Sequence, residues 1–446
     1  MTLSNDLGIA AEAPPPLDEP KPFSLALIGD LLAPRMPSSL DETGVDPAAL
    51  TDLVLKLAYT VPRLTTEWAA QKLNLHISLV EELLQELNRQ RLVEILGQSG
   101  AITHRFAISQ RGAELAGRLM EICGYIGPAP VSLESYTAAM EQQLAGFSEI
   151  EPSQVENAVS DLILPADAVR MAGLALSSGR TLFLHGPSGN GKTSLARLMH
   201  QALQGDVWIP HAIAIDSNII RVFDPQCHQP SPVSGVEPWR IDQRWVRIRR
   251  PLIVCGGELT IESLDLVYSP SLRYYEAPLH VKSNGGVFLI DDFGRQRVDP
   301  HSLLNRWIIP LEHQTDHLSL HTGRQIQVPF KQMLIIATNL DPREVTDAAF
   351  LRRMGYRLYL GLPTPESYTR IFERYAARWE LAVPDGLIPQ LLDRYQAEER
   401  ELRACDPRDL IDRVRDICRF TRIAPVLNQD LIDLAWVGYF GNAGPR

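Results

Sequence analysis

The chain holds five cysteines, Cys123, Cys227, Cys255, Cys405 and Cys418, and no C-x-x-C pair among them. That spacing excludes a disulfide framework and a zinc ribbon, and fits reduced, packed thiols. No apolar run approaches the ~20 residues that span a bilayer, so membrane insertion is not expected. Met1 to Pro20 is acidic and Pro-rich, without the basic start and apolar stretch of a secretory leader, so a cytoplasmic location is expected. An excess of positive charge is missing as well. The net charge of −11 disfavours a protein whose main work is gripping nucleic acid, because Lys and Arg supply most of that affinity. One basic face on one domain stays compatible with it. With 446 residues, 45% apolar and 22% charged, the chain reads as a globular protein too long for one core.

What is present begins with Gly186, Pro187, Ser188, Gly189, Asn190, Gly191, Lys192 and Thr193, which fit G-x-x-x-x-G-K-[ST] after the apolar run Thr181–His185. A strand, a Gly-rich turn and a helix start make a phosphate cradle: the glycines let backbone N–H groups turn inward, and the helix end adds its positive dipole. Lys192 is expected to reach the β- and γ-phosphates of ATP, and the Thr193 hydroxyl to hold Mg²⁺. An ordinary Gly-rich turn is the bland alternative for the octet alone.

Further on, Gly286–Ile290 is a buried-strand pattern ending in Asp291 and Asp292. A carboxylate at the carboxyl end of such a strand lies where open α/β sheets place their ligands. Asp291 is expected to hold Mg²⁺ through water, and Asp292 to orient or deprotonate the attacking water. A third strand, Met333–Ala337, ends in Thr338 and Asn339, and the segment Ala349–Arg357 carries Arg352 and Arg353. In this order the motifs resemble those of the AAA+ ATPases over roughly 160–440. The resemblance implies an α/β P-loop core at 161–360 and a helical lid at 361–446. It makes Asp291 the Walker B metal carboxylate, Asn339 sensor 1, and Arg352 or Arg353 the arginine finger that enters a neighbouring subunit's site. Arg408, near a helix start at Asp406-Pro407, is the sensor 2 candidate; an exposed arginine paired with Asp406 or Asp409 is the alternative. One departure stands out. The family's usual Glu after the Walker B aspartate is here Asp292, one methylene shorter, which favours ATP binding over fast turnover.

Residues 1–45 are expected to be a mobile Pro-rich arm. Residues 46–125 read as three helices, a hairpin and a fourth helix, with Ser78 and Glu81 as a capping box. That arrangement resembles a winged-helix domain in a small α+β unit. Glu81, Glu82 and Glu86 on its third helix disfavour DNA, although Arg89, Arg91 and His104 keep DNA as an alternative partner. A linker helix is expected at 126–160.

About a hundred residues separate Lys192 from Asp291, so an insertion is expected at about 205–280. Within it, alternation puts Val246 and Ile248 on one strand face and Arg247 and Arg249 on the other. A hairpin around Thr322-Gly323, just before the sensor strand, resembles the pre-sensor-hairpin branch, where a MoxR-like chaperone ATPase fits best. His313, His317 and His321 have helical metal-ligand spacing that a hairpin breaks. The implied function is an oligomeric ATPase, a homo-oligomer expected as a hexameric ring, remodelling an unknown protein client. A DNA-associated loader and an ATP-binding scaffold with slow turnover are the alternatives.

Overall fold

The computed structural model describes residues 23, 25–101, 103–144, 150–345 and 348–441. Its centre is a five-stranded parallel sheet in the order Leu252–Cys255, Val287–Ile290, Met333–Thr338, Leu182–His185, Tyr356–Tyr359. Among the strands of this sheet, the first in chain order, Leu182–His185, therefore lies between the fourth and the fifth. Residues of the three middle strands alternate between two apolar layers. Leu182, Leu184, Leu289 and Ile335 face one layer, while Phe183, Phe288, Ile290 and Ile336 face the other. Burial on both faces is why these strands read as continuous apolar runs. Helices cover both sides, and four C-terminal helices from Pro365 to Phe440 form a separate layer around their own core. The fold is thus an α/β P-loop core with a helical C-terminal part.

The N-terminal unit packs helices Pro47–Tyr59, Thr66–Leu73 and Ile77–Arg89 against a sheet ordered Leu64–Thr65, His104–Ile108, Val93–Gln98. Ile102, in the expected hairpin, lies outside the described residues. Ser78 and Glu81 do not form the expected capping box. The N-cap is His76, whose ring accepts from the Ser78 N–H. Glu81 turns inward instead, accepting from Thr66 Oγ1 at 2.6 Å and pairing with His104 Nδ1 at 2.7 Å. Its charge is therefore partly hidden from any partner of that helix.

Three expectations about chain organisation change. Of the arm expected at 1–45, residues 1–22 lie outside the described residues. Leu25–Ile28 and Leu31–Pro34 form an antiparallel hairpin docked on the inserted region. Trp208 Nε1 donates to the Leu32 carbonyl, and the Asp242 N–H to that of Pro34. The stretch 126–160 is not one linker helix. Val131–Ser132 adds a parallel strand to the inserted sheet, helix Leu133–Leu144 lies in that sheet's core, and helix Pro152–Val159 packs on the central fold. The strand Trp245–Arg249 buries Trp245 and Ile248, leaving Val246 partly exposed. Arg247 on this strand pairs with Asp206 at 2.9 Å, Arg249 is exposed, and Arg244, just before the strand, is buried and pairs with Asp242 at 2.8 Å. The hairpin around Thr322-Gly323, Thr315–Ser319 with Gln325–Pro329, buries Leu318, Leu320, Ile326 and Val328 against the inserted region. His321 stacks on Tyr268 there. Among the described residues no group of side chains has metal-site geometry, and no helix is long and apolar enough to cross a membrane.

Burial pushes His211 down to about 4, and lowers His185, His200 and His228 as well. Between pH about 6.5, the ordinary histidine value, and the folded value, the unfolded chain binds more protons. Stability is therefore fully present above that window and falls as pH drops through it. At about 1.4 kcal/mol per unit, His211 alone accounts for a loss on the order of 3 kcal/mol by pH 4. Urea unfolding midpoints should be lower at pH 5 than at pH 7, with the gap narrowed in His211→Gln. Equal midpoints in the parent chain would refute this account.

Candidate nucleotide-binding site

The strand Leu182–His185 ends in the loop 186–191, and the helix Lys192–Ala202 starts directly after it. Gly186, Gly189 and Gly191 have φ of +134°, +82° and +84°, a region open to glycine at little cost. At Gly186 a Cβ would lie 2.2 Å from the Leu360 carbonyl oxygen, so absence of a side chain is also a packing requirement. Successive N–H groups in such a turn form a concave anion nest. Lys192 is 7% exposed, and its ammonium donates to the carbonyls of Gly186 and Pro187 at 2.8 and 2.9 Å. Burial pulls that ammonium below its ordinary value, and the Asp292 and Asp291 carboxylates oppose the pull.

Thr193 Oγ1 lies 2.9 Å from both carboxylate oxygens of Asp291. A hydroxyl and a carboxylate at one point are hard oxygen ligands of the kind Mg²⁺ takes. They sit beside the lysine that a polyphosphate needs, so the residues present fit a magnesium nucleotide. Asp292 adopts φ +49°, and its Oδ1 accepts from Asn339 Nδ2 at 3.3 Å. Phe293 N–H donates to the Ala337 carbonyl, and Thr338 Oγ1 to that of Phe293. The ends of two neighbouring strands are thereby stitched together. Gln296 braces the turn from below, donating to the Asp291 carbonyl at 3.1 Å; no motif flagged it.

The other expected residues stand elsewhere. Arg352 is exposed, and among the described residues no hydrogen bond or ion pair involves its side chain. Arg353 pairs with Glu312 at 3.0 Å. Among the described residues, no hydrogen bond or ion pair joins Arg352 to the loop, to Asp291 or to Asp292. Arg408 is 57% exposed and pairs with Asp409 at 2.8 Å, which is the alternative weighed for it. The helix starts at Asp406 with Cys405 as its N-cap, so Asp406 is not the cap expected before Pro407. Two loop residues meet the C-terminal layer directly. Asn190 Oδ1 accepts from the Ala404 N–H at 3.1 Å, and a Cβ on Gly189 would meet Cys405 Sγ. These contacts join positions more than two hundred residues apart, and no local pattern announces them.

A family described as a domain of unknown function (DUF8689) matches residues 364–437, within the C-terminal helices. No curated protein matches the chain. Among solved structures it is similar to the RuvB Holliday junction branch migration motor of Thermotoga maritima, at 14% identity over 61% of this chain and 69% of that one, with a TM-score of 0.35. It is also similar to NtrX from Brucella abortus in complex with ADP, at 14% identity over 63% and 56%, with a TM-score of 0.38.

The Gly186 contact separates two kinds of glycine. Gly186→Ala drives a methyl into backbone and should cost more than about 2 kcal/mol. Gly191→Ala meets nothing within 4 Å and should cost only the left-handed penalty of about 1 kcal/mol. Chemical denaturation of the two variants should rank them in that order; the reverse order would contradict the packing described here.

Proposed function

We propose that the chain is a Mg²⁺-dependent ATPase of AAA+ type that works as an oligomer on a protein client. The observation that carries this reading is the convergence of buried Lys192, the Thr193–Asp291 contact and the Asp292–Asn339 pair at the carboxyl ends of adjacent parallel strands. The loop N–H groups and Lys192 bind the polyphosphate, with Lys192 exchanging two loop carbonyls for phosphate oxygens. Thr193 and Asp291 would hold Mg²⁺, which would supply charge neutralisation to the bound polyphosphate. Asp292 accepts the proton of the attacking water, and Asn339 orients the water beside it. Arg352 is the finger, because Arg353 is held by Glu312 while Arg352 is exposed and available to a second copy. Arg408 leaves Asp409 for phosphate when the lid closes.

The remodelling role, the MoxR-like branch and a hexameric ring belong to the same proposal. They rest on the hairpin before the sensor strand, which couples the core to the inserted region instead of projecting freely. One observation favours a second reading, a nucleotide-bound scaffold with slow turnover. Asp292 is both short and held in a left-handed backbone conformation.

ATPase rate per chain should rise with protein concentration and vanish in Lys192→Ala. Arg352→Ala should lower it about 10³-fold, whereas Arg353→Ala retains most of it. Tight ATP binding with a flat, near-zero rate at every concentration would defeat the motor reading and leave the scaffold. Asp292→Asn is the companion test, since Asn tolerates the same backbone conformation. Nucleotide affinity should stay within a few-fold of the parent while turnover falls by at least about 10²-fold; unchanged turnover would remove Asp292 from the reaction.

A further inference from the structure

The phosphate loop meets the C-terminal helices at a short turn, 403–405, just before the helix Asp406–Thr421. The loop side of that contact is Asn190, 5% exposed. Its Nδ2 donates to the Pro187 carbonyl at 3.4 Å, and its Oδ1 accepts from the Ala404 N–H at 3.1 Å. The same Pro187 carbonyl accepts from Lys192 Nζ at 2.9 Å. One carbonyl is thus shared by the lysine that answers to phosphate and the amide that holds the lid.

The turn on the other side is rigid. Asp406, 1% exposed, accepts from the Arg403 N–H at 3.2 Å, from Tyr395 OH at 2.9 Å and from Tyr439 OH at 2.9 Å. Tyr368 OH donates to Tyr395 OH at 3.2 Å. Three of the four lid helices are therefore tied to the turn through one buried carboxylate, and the fourth supplies that carboxylate itself. Gly189 lets the two surfaces touch, because Cys405 Sγ occupies the space a side chain there would need.

Resting on the nucleotide reading above, we infer that Asn190 is the positioning residue that converts phosphate occupancy of the loop into lid position. A phosphate draws Lys192 away from the Pro187 carbonyl. Asn190 Nδ2 then remains the side-chain donor to the Pro187 carbonyl, and Asn190 carries the shift to the Ala404 N–H. Asp406 passes it to the whole helical layer and to Arg408 two residues further on. Linkage makes the effect reciprocal: whatever holds the lid also changes nucleotide affinity by the same factor. A net hydrogen bond of ordinary strength corresponds to about a five-fold coupling.

Cys405 offers the readout. Cys123, Cys255 and Cys418 are buried, and Cys227 is the other partly exposed thiol, so the experiment uses the full chain carrying Cys227→Ser. Affinity for Mg-ATP is measured directly by titration, and the alkylation rate of Cys405 is measured with and without Mg-ATP. In the parent, Mg-ATP should slow alkylation at least five-fold. In Asn190→Ala, read at Mg-ATP saturating for that variant, the protection should fall below two-fold. Ala404→Pro removes the donor from the lid side without touching the loop, and should give the same loss. If Asn190→Ala binds no ATP, Ala404→Pro decides. Full protection retained in a variant that binds ATP overturns the role of Asn190 alone. A parent that binds no ATP in the titration overturns both the nucleotide reading and this inference.

Discussion

Thr193 reaches Asp291 across one intervening strand, and the geometry of that single contact constrains the rest of the core. Asp291 follows Val287–Ile290, which pairs in register with Met333–Thr338, which pairs in turn with Leu182–His185. A slip of one residue in either pairing would carry Asp291 away from the first turn of Lys192–Ala202 and exchange the two apolar faces. With both faces buried, the two core layers resist such a slip as strongly as the site does. Packing and site geometry therefore depend on the same register. This is why the carboxyl ends of the strands can hold a short, polar, partly exposed cluster without loosening the sheet beneath it.

The N-terminal unit and the inserted region are built as one mass on that core. Arg244 pairs with Asp242 while its Nη1 donates to the carbonyls of Thr43 and Pro130. Three distant chain segments thus converge on one buried guanidinium. Such a pair adds little net stability, because desolvation offsets its attraction, but breaking it leaves a charge uncompensated and so penalises other arrangements. The hairpin Thr315–Pro329 adds a second connection through Leu318, Ile326 and the His321–Tyr268 stack. Asn339 has a short packed path to the inserted region, since the hairpin leads directly into the strand Met333–Thr338. A freely tethered N-terminal module would have no such path.

The parallel strands and the phosphate loop were legible in the sequence for a physical reason. Strands buried on both faces are uninterrupted apolar runs, and a loop that must adopt positive φ three times needs glycine at those places. What was hidden depends on long-range pairing. Nothing local separates Arg352 from Arg353, because the difference is Glu312, forty-one positions earlier. Residues 25–34 looked like a proline-broken arm, yet a four-residue pairing and the Trp208 and Asp242 contacts hold them in place. The alternation at 245–249 did not show that Arg247 is paired, because its partner Asp206 lies on the neighbouring strand. Glu81 looked like a cap for the same reason: Thr66 and His104 approach it only after the fold forms.

The shorter acid at position 292 follows from its backbone. At φ +49° a side chain crowds its own carbonyl, and Asp and Asn tolerate this better than longer residues because they form local hydrogen bonds. Asp292 forms one with Asn339, and its own N–H donates to Asp291 Oδ1 at 3.1 Å. The left-handed turn leads directly to the Phe293 bond to the Ala337 carbonyl, which ties the chain to the strand Met333–Thr338. Glutamate here would gain reach toward a water but lose that tolerance. The chain has placed its carboxylate by bending the backbone rather than by extending the side chain. A residue held in so uncommon a conformation at the mouth of a phosphate loop is where strain is expected to serve function.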